Sequence, residues 1–225
     1  MRPAVLVVGA SRGIGLEFVR QYRAEDARVI ATHRDPAQAA PLRALGAEPG
    51  LLDVLDEAAI SRLGRLLAGE RLAVVIVNAG IFGPRTQGLV APPADAFDAV
   101  MHTNVLAAMR LIPALVPPLA AAGGRLAVLS SRMGSVSLMQ SSSGWLYRAS
   151  KAALNGVLKA ASIELGAQGI VCLALHPGWV RTDMGGAGAD IDATVSVTGM
   201  RRVIEAADAA SNGSFFDYTG ERLAW

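Results

Sequence analysis

A tyrosine and a lysine stand four residues apart, at Tyr147 and Lys151, within a stretch of helical length that covers residues 145–166. Residues at positions i and i+4 lie on one face of a helix, so the ammonium group is expected beside the phenol. A neighbouring positive charge favours the phenolate and lowers a pKa that is about 10 in an isolated tyrosine. The pair therefore predicts an acid–base group that works near neutral pH, although the same spacing also occurs on ordinary surface helices.

Hydroxyl side chains follow the apolar run 126–129. Ser130 and Ser131 come directly after this run, and Gly134 completes a Ser-x-x-Gly turn. The carboxyl ends of parallel strands form the edge at which open α/β sheets bind their ligands. We therefore expect these hydroxyls near the tyrosine and lysine pair.

A glycine-rich turn follows the first apolar run, 5–8. Its glycines, Gly9, Gly13 and Gly15, have the spacing G-x-x-x-G-x-G and open a stretch of helical length. Glycine permits a tight turn and lets backbone N–H groups approach a pyrophosphate, whose charge the helix N-terminus favours. The position predicts a dinucleotide phosphate site, with an ordinary strand-to-helix turn as the alternative.

Basic residues stand where the ribose of such a dinucleotide is read. The second apolar run ends at Thr32 and is followed by His33, Arg34 and Asp35. An acidic residue at this strand end hydrogen-bonds a ribose 2′-hydroxyl, whereas an arginine accommodates a 2′-phosphate. Arg34, with Arg12 from the glycine turn, favours NADPH over NADH. Asp35, as an acidic residue, favours NADH instead. The alternative for both arginines is that they are ordinary surface residues in contact with solvent.

Elements of two kinds alternate along the chain and must position these residues. The apolar runs are 5–8, 28–32, 51–54, 73–77, 126–129 and 170–175, and the stretches of helical length are 14–25, 36–45, 56–68, 94–121 and 145–166. Continuously hydrophobic strands indicate a parallel sheet that is covered on both faces. The alternation predicts one doubly wound, mostly parallel α/β domain of the Rossmann type over residues 1–225, with helices on both faces.

Prolines and glycines modify this pattern at two places. The stretch 94–121 contains Pro113, Pro117 and Pro118, which predict a broken helix because proline cannot donate a backbone hydrogen bond. The glycine-rich segment 185–188 predicts a mobile loop or short lid, with an ordinary surface loop as the alternative.

Composition excludes several classes of protein. The chain has 225 residues, of which 52% are hydrophobic and 18% are charged, so it is expected to collapse into a core. A net charge of +2 gives no reason to expect a nucleic-acid or membrane partner. A single cysteine, Cys172, excludes an internal disulfide framework and is expected to be an inert core residue. The three histidines lack ligand spacing, so no metal site is expected.

The start of the chain bears on location. The apolar run that begins at Ala4 is only five or six residues long, which is too short for a signal peptide. Nothing approaches the roughly 18 uninterrupted apolar residues of a membrane span. We expect a cytoplasmic protein.

Taken together in chain order, the motifs resemble those of the short-chain dehydrogenase/reductase family over about residues 3 to 225. The matching positions are Gly9-x-x-x-Gly13-Ile14-Gly15, Asn78-Ala79-Gly80, Asn104, Ser131-x-x-Gly134, Tyr147-x-x-x-Lys151 and the run from Pro177 to Thr182. The segments 147–155 and 216–225 are similar to the branch that contains sniffer-type carbonyl reductases and C-factor-like proteins. Val8 departs from the pattern, because the family often has threonine before the first glycine.

The resemblance implies catalytic roles for four residues. Tyr147 gives a proton to a carbonyl oxygen during reduction or takes one from an alcohol during oxidation. Lys151 lowers the pKa of the tyrosine and hydrogen-bonds the nicotinamide ribose. Ser131 stabilises charge on the substrate oxygen, and Asn104 holds a water molecule in a proton relay behind the lysine.

The resemblance also implies a set of cofactor contacts. Those residues are Gly9, Ser11, Arg12, Gly13, Ile14, Gly15, Arg34, Asp53, Val54, Asn78, Ala79, Gly80, Tyr147, Lys151, Pro177, Gly178, Val180 and Thr182. Within this set, Asp53 and Val54 are expected at the adenine, and Thr182 at the nicotinamide carboxamide.

The substrate side is less regular. Ser131 and Tyr147 lie 16 residues apart, more than in many members, so 135–144 must bulge, and Ser130 or Ser135 are alternatives to Ser131. Apolar residues that flank the expected site are candidates for a pocket lining: Phe82, Met133, Met139, Trp145, Trp179 and Met184.

These expectations combine into a functional hypothesis. The chain is expected to be an NADPH-dependent oxidoreductase that reduces a small to medium, fairly apolar ketone or aldehyde, or oxidises the corresponding alcohol. One alternative is a cofactor-binding sensor or signalling protein of the same fold with little turnover, and another is an α/β module without a nicotinamide cofactor. By resemblance, helices 94–121 and 145–166 pair across a two-fold axis in a homodimer or homotetramer.

Overall fold

A computed structural model describes residues 4–86 and 88–225. Within these residues, eight strands form one sheet in the order β3-β2-β1-β4-β5-β6-β7-β8. The strands are β1 (Ala4–Val8), β2 (Val29–His33), β3 (Glu48–Leu51), β4 (Leu72–Val77), β5 (Arg125–Leu129), β6 (Val171–His176), β7 (Ser214–Asp217) and β8 (Arg222–Leu223). Only the β7–β8 pair is antiparallel. The doubly wound, mostly parallel Rossmann-type sheet is thus confirmed. Residues 1–3 and 87 of the expected domain lie outside the described residues.

Helices cover both faces of this sheet. They are α1 (Gly13–Ala24), α2 (Ala39–Ala44), α3 (Glu57–Leu67), α4 (Ala94–Met101), α5 (Ala107–Ala120), α6 (Trp145–Gly166) and α7 (Ala193–Ala206). Side chains of α3, α5 and α6 pack on one face of the sheet, and those of α1, α2 and α7 pack on the other. Successive residues of β1 enter opposite clusters, Leu6 the first and Val7 the second. Burial on both faces explains why the central strands are hydrophobic throughout.

The strand order reverses between β1 and β4. From β1 the sheet continues to β2 and β3 on one side and to β4, β5 and β6 on the other. Such a reversal leaves a crevice at the carboxyl ends of the strands. The turns after β1, β4, β5 and β6 therefore converge on one edge.

Two expectations about the outer elements were wrong. The third strand is Glu48–Leu51 and not 51–54, and α7, β7 and β8 lie where no element was expected. As an edge strand, β3 is only partly covered, and Leu51 is 64% exposed. Continuous apolar runs indicate strands that are covered on both faces. Strands at the margin of the sheet lack such runs, so their positions are predicted wrongly or not at all.

The expected break at the prolines is also wrong. Helix α5 continues through Pro113, Pro117 and Pro118, and the irregular segment is instead a π-helical turn at His102–Leu106 that joins α4 to α5. Leu111, Leu115 and Leu119 are fully buried in the core, so packing offsets the hydrogen bonds that the prolines cannot make.

The same helical stretch has one further property. Among the described residues, Ala94–Ala120 is long and apolar enough to cross a membrane by length and composition, and 44% of its most apolar 18-residue window is buried inside the structure. A helix that packs in the core of a globular domain has these same properties, and its leucines do pack in the core.

Candidate active site

A cleft of about 390 Å³ opens at the reversal point of the sheet. The described residues that line it are Arg12, Gly13, Ile14, Asn78, Gly80, Leu129, Ser130, Tyr147, Lys151, Pro177, Arg181, Thr182, Asp183 and Met184. They come from the turns after β1, β4, β5 and β6 and from α6. The structure thus brings the glycine turn and the tyrosine–lysine pair together in one cleft.

The glycine turn requires glycine at specific positions. Gly9 and Gly13 adopt positive φ angles of 83° and 53°, which favour glycine. A Cβ atom on Gly15 would lie 2.1 Å from the carbonyl oxygen of Gly9, so no larger residue fits there. The Asn78 side chain donates a hydrogen bond of 2.7 Å to the same carbonyl oxygen, and Thr32 accepts one from the Gly9 N–H. The turn is therefore held by both neighbouring strands.

Helix α1 begins at Gly13 without a side-chain cap. The first N–H groups of a helix have no partner within the helix, and they carry the positive end of its dipole. Arg12, Gly13 and Ile14 line the cleft at this point. This end of the cleft can bind an anionic group such as a pyrophosphate.

The end of β2 presents a free arginine to solvent. His33 is buried and contacts the carbonyl oxygen of Asp35 through Nδ1, at 2.8 Å. The carboxylate of Asp35 accepts a hydrogen bond from the N–H of Ala37 and thereby caps the next turn. Arg34 is exposed, and it forms no ion pair within the described part of the chain. An arginine is thus available where a 2′-phosphate would lie.

Arg12 has a carboxylate partner that the sequence analysis did not anticipate. Its Nη1 atom lies 2.6 Å from Oδ2 of Asp183, on the loop after β6. Both side chains are exposed, so the pair is a surface ion pair that joins the glycine turn to the opposite loop. Arg12 is therefore engaged at the mouth of the cleft.

Several expected cofactor contacts do not line the cleft. Those positions are Gly9, Ser11, Gly15, Arg34, Asp53, Val54 and Ala79. Gly9, Gly15 and Ala79 are packed behind the turn, and a Cβ atom on Gly9 would lie 3.0 Å from the N atom of Ala79. Asp53 accepts a hydrogen bond from the N–H of Leu55 and stabilises its own turn. Gly178 and Val180 line a neighbouring cavity together with Thr182.

Lys151 is buried at the centre of the cleft, with 4% of its surface exposed. Its Nζ atom donates a hydrogen bond of 2.8 Å to the carbonyl oxygen of Leu129, at the end of β5. The same atom lies 5.7 Å from the centre of the Tyr147 ring. Burial lowers the pKa of Lys151 to about 8.

The pKa of Tyr147 moves in the direction opposite to our expectation. Burial raises it to about 12, and hydrogen bonding with Ser131 offsets only part of the rise. The phenol is 8% exposed, so loss of hydration disfavours the phenolate more than the neighbouring groups favour it. In the free protein the side chain is a protonated phenol at neutral pH.

The three serines after β5 have different partners. Ser130 donates a hydrogen bond of 2.5 Å to Asn155, and Ser135 accepts one from the N–H of Leu138. Ser131 accepts a bond from the N–H of Met133 and interacts with the Tyr147 phenol. Of the three, Ser131 is thus the one directed at the tyrosine.

Asn104 lies in the π-helical turn and is 2% exposed. Its Oδ1 atom accepts from the N–H of Ile81, and its Nδ2 atom donates to the carbonyl oxygen of Ile81 and to Ser150. Both side-chain donors are therefore used by the protein. A Cβ atom on Gly80 would lie 3.2 Å from Asn104 Oδ1 and 3.5 Å from Lys151 Nζ, so the two side chains meet at this glycine.

A second cavity of about 590 Å³ lies on the other side of Tyr147. Phe82, Met133, Trp179 and Met184 line it, whereas Met139 and Trp145 do not. The Phe82 ring stacks on the Tyr147 ring, with centroids 4.5 Å apart and planes inclined by 21°. Ile14, Ser130 and Tyr147 line both this cavity and the cleft, so a molecule in the cavity can reach the tyrosine.

His176 also lines the second cavity, although none of the sequence motifs includes it. Burial lowers its pKa to about 4, and its Nδ1 atom is buried without a partner in the described structure. The side chain is therefore a neutral imidazole. In the sequence, only its position directly before Pro177 indicated that it could lie near the site. Among the described residues, no group of three histidine, cysteine or acidic side chains is placed to hold a metal ion.

Cys172 is fully buried in β6, as expected of a core residue. Burial raises the pKa of its thiol to about 12. A neutral, inaccessible thiol is a poor nucleophile.

Comparison with known proteins identifies relatives of this arrangement. The family model for short chain dehydrogenases matches residues 3–190. The C-signal protein of Myxococcus xanthus is 43% identical over 157 residues, which cover 68% of this chain and 92% of that protein. The NADPH-bound carbonyl reductase from chicken fatty liver has a TM-score of 0.90 at 33% identity, and the carbonyl reductase Sniffer of D. melanogaster has 0.92 at 29%. Both alignments cover all of each chain.

Proposed function

The chain belongs to the short-chain dehydrogenase family, and from this premise we propose that it is an NADPH-dependent carbonyl reductase. It transfers hydride between the nicotinamide and a carbonyl compound or secondary alcohol, with Tyr147 as the general acid or base. One observation carries this proposal. The buried Tyr147 phenol, next to the Ser131 hydroxyl, lies between the cleft of the glycine turn and a second, apolar cavity.

The donor groups of the cleft suit a nicotinamide dinucleotide. When bound, this cofactor supplies the hydride that reduces the carbonyl carbon. The uncapped start of α1 would hold the pyrophosphate, and Lys151 and Thr182, which also line the cleft, would hold the nicotinamide ribose and carboxamide. The exposed Arg34 favours a cofactor with a 2′-phosphate. The chicken carbonyl reductase that is similar to this chain was solved with NADPH, which carries this phosphate.

Four residues of the chain have separate roles in this reaction. Ser131 donates a hydrogen bond to the substrate oxygen and stabilises the negative charge that develops there. Tyr147 protonates that oxygen, and its high pKa keeps the proton available at neutral pH. Lys151, while charged, stabilises the phenolate that remains. Asn104 holds the Ile81 backbone and Ser150 in place behind these groups.

A second candidate function is cofactor sensing or signalling with little turnover. The similarity to the C-signal protein of Myxococcus xanthus favours it. The complete set of Ser131, Tyr147 and Lys151 argues for catalysis, because a sensor has no physical need for an acid at the cavity wall.

The test is NADPH oxidation by the purified protein with a panel of ketones and aldehydes, followed by absorbance. Tyr147→Phe is expected to reduce turnover about 1,000-fold, because the general acid is lost, and to leave the NADPH dissociation constant within about threefold. Tyr218→Phe, at a surface pocket beside α7, is the matched control and keeps wild-type turnover. Full turnover by Tyr147→Phe refutes the proposal, and NADPH binding without turnover on any carbonyl supports the sensor.

The oligomeric state and the cellular location of the protein are part of the same proposal. We propose that residues 1–225 act as one domain in a cytoplasmic homodimer or homotetramer, with no nucleic-acid or membrane partner. Helices α4 and α5 expose Phe97 and Met109, and α6 exposes Ile163, which supports an apolar interface between copies. Sedimentation that yields only a species of 23.3 kDa contradicts this assembly.

A further inference from the structure

Three arginines line the cavity that would receive the substrate. They are Arg85 from the loop after β4, Arg132 directly after Ser131, and Arg148 directly after Tyr147. No aspartate or glutamate is found among the described residues of the lining. The polar end of this cavity is therefore positively charged.

Within residues 4–86 and 88–225, these arginines have no carboxylate partner. Elsewhere in the structure arginines such as Arg28 and Arg201 pair with glutamates, but Arg85, Arg132 and Arg148 form no ion pair with any described residue. A guanidinium group carries five N–H donors, and most of them remain free in each of the three. Three positive charges around one cavity favour the binding of an anion there.

Two of the guanidinium groups are held by the backbone. Arg85 donates a hydrogen bond of 2.5 Å to the carbonyl oxygen of Met184 and lies 4.8 Å above the centre of the Phe82 ring. Arg148 donates one of 2.9 Å through Nε to the carbonyl oxygen of Ser143. Each of these bonds uses one donor and restricts the side chain, so less conformational entropy is lost when an anion binds.

Arg132 acts on the inner wall of the cavity. Burial is the main cause of the low pKa of His176 on this wall; the Asp217 carboxylate opposes it, and the positive charge of Arg132 adds to it. The remaining wall is apolar and includes Phe82, Leu138, Trp179 and Met184. An occupant therefore meets an apolar surface near Tyr147 and positive charge beside it.

The arginines are separate from the groups that face the cofactor phosphates. Arg12 and Gly13 line the first cleft and not the second cavity, whereas Arg85, Arg132 and Arg148 line the second cavity and not the first cleft. Their charge is therefore free to serve the substrate.

We propose that the substrate is an amphipathic carbonyl compound, or the matching alcohol, that carries a carboxylate or phosphate group, with Arg132 and Arg148 as its principal anion-binding residues. This inference rests on the carbonyl reductase function proposed above and adds the substrate class. The apolar part packs against Phe82 and Met184, the carbonyl group reaches Ser131 and Tyr147, and the anion binds at the arginines.

The experiment compares aryl ketones of equal length that end in a carboxylate, a phosphate or an uncharged methyl ester. At low ionic strength we expect kcat/KM to be at least about tenfold higher for the anionic ketones, mainly through KM, because the arginines form charge-assisted hydrogen bonds with the anion. Added salt of about 0.5 M reduces this preference. The carboxylate and phosphate arms show which anion is preferred.

Arginine variants assign the effect to this cavity. Arg132→Gln and Arg148→Gln are each expected to lower kcat/KM for the anionic ketones about tenfold and to change it less than about twofold for the ester. Arg65→Gln removes the same charge from exposed α3 and is the matched control, with no effect on either ketone. Thermal melts of all three variants verify that the fold is retained.

A direct binding measurement separates this inference from the proposed function. Calorimetric titration of the keto acid and its ester into protein saturated with NADP⁺ reports anion recognition without turnover. Equal affinity or equal kcat/KM for acid and ester overturns the inference while the carbonyl reductase function stands, and so does an equal loss for both in the arginine variants. Absence of turnover with every ketone refutes the proposed function, and tighter binding of the acid in that case still supports the anion site.

Discussion

The rings of Phe82 and Tyr147 stack with their centroids 4.5 Å apart, which gives the proposed catalytic tyrosine an aromatic support on its cavity side. Gly144 lies at the same place, because a Cβ atom there would be 3.0 Å from Cζ of Phe82. The loop after β4 thus helps to fix the orientation of a side chain on α6. Neither residue type nor spacing in the sequence indicates this contact.

Phe82→Ala is expected to lower kcat about tenfold, because the phenol loses the surface that orients it and misplacement of a catalytic group is costly. The dissociation constant of NADPH should change less than about twofold, since Phe82 lies outside the first cleft. Steady-state kinetics and a cofactor titration measure both effects. Leu66→Ala, at an exposed position of α3, serves as the control. Unchanged kcat in Phe82→Ala shows that the stack has no catalytic role.

The pH dependence of reduction follows from two opposite pKa shifts. Tyr147 keeps its proton up to a pKa of about 12, whereas Lys151, with a pKa of about 8, loses its charge as the pH rises through 8. The acid thus remains available while the ammonium that stabilises the phenolate disappears. We expect kcat/KM for carbonyl reduction to be flat below pH 8 and to fall up to about tenfold per pH unit above it.

Lys151→Arg provides the control for this profile. Arginine keeps its charge over the whole range, so the variant should be slower but should show no fall between pH 8 and 10. A wild-type profile that stays flat to pH 10 contradicts the assignment of Lys151.

We expect the cofactor preference to depend on Arg34 and on the pair between Arg12 and Asp183. Arg34→Ala is expected to weaken NADPH binding about tenfold and NADH binding less than twofold, since only NADPH carries the 2′-phosphate. Asp183→Asn frees Arg12 and should tighten NADPH binding a few-fold at low salt. Fluorescence titration with both cofactors measures these constants. Equal weakening of both cofactors by Arg34→Ala removes the case for a phosphate contact.

Asn104→Ala tests the role of the buried amide. The change leaves the N–H and carbonyl groups of Ile81 and the hydroxyl of Ser150 without their partner. We expect a loss of about 2 kcal/mol in the free energy of unfolding and a lower kcat, because the wall beside Lys151 loosens. Thr103→Ala, next to it in the π-helical turn, should change the melting temperature much less. A melt of Asn104→Ala that coincides with wild type contradicts this role.

The central part of the fold was predictable because it depends on burial. Strands β1, β4, β5 and β6 are covered on both faces. Their residues are therefore apolar in continuous runs, which can be recognised without a structure. The edge strand β3 is largely exposed, and β7 and β8 are only four and two residues long, so none of the three gives a long apolar run. The prolines of α5 misled the prediction because tertiary packing overrides local preference.

The candidate site was predictable to the extent that its motifs are local. The glycine turn, the Ser-x-x-Gly turn and the tyrosine–lysine spacing each depend on a few neighbouring residues, and the sheet brings all three to one edge. The direction of the Tyr147 pKa was not predictable, because desolvation depends on how much of the phenol the surrounding loops cover.

The sequence by itself determined the central alternation of strands and helices, the glycine positions of the turn and the candidate reactive side chains, since each follows from local geometry or from which residues must be buried. Only the tertiary structure decided that Phe82 supports Tyr147, that Arg12 pairs with Asp183, and that three arginines meet around one cavity. These contacts join segments far apart in the chain. Their distances and charges therefore exist only after the sheet has brought the loops together.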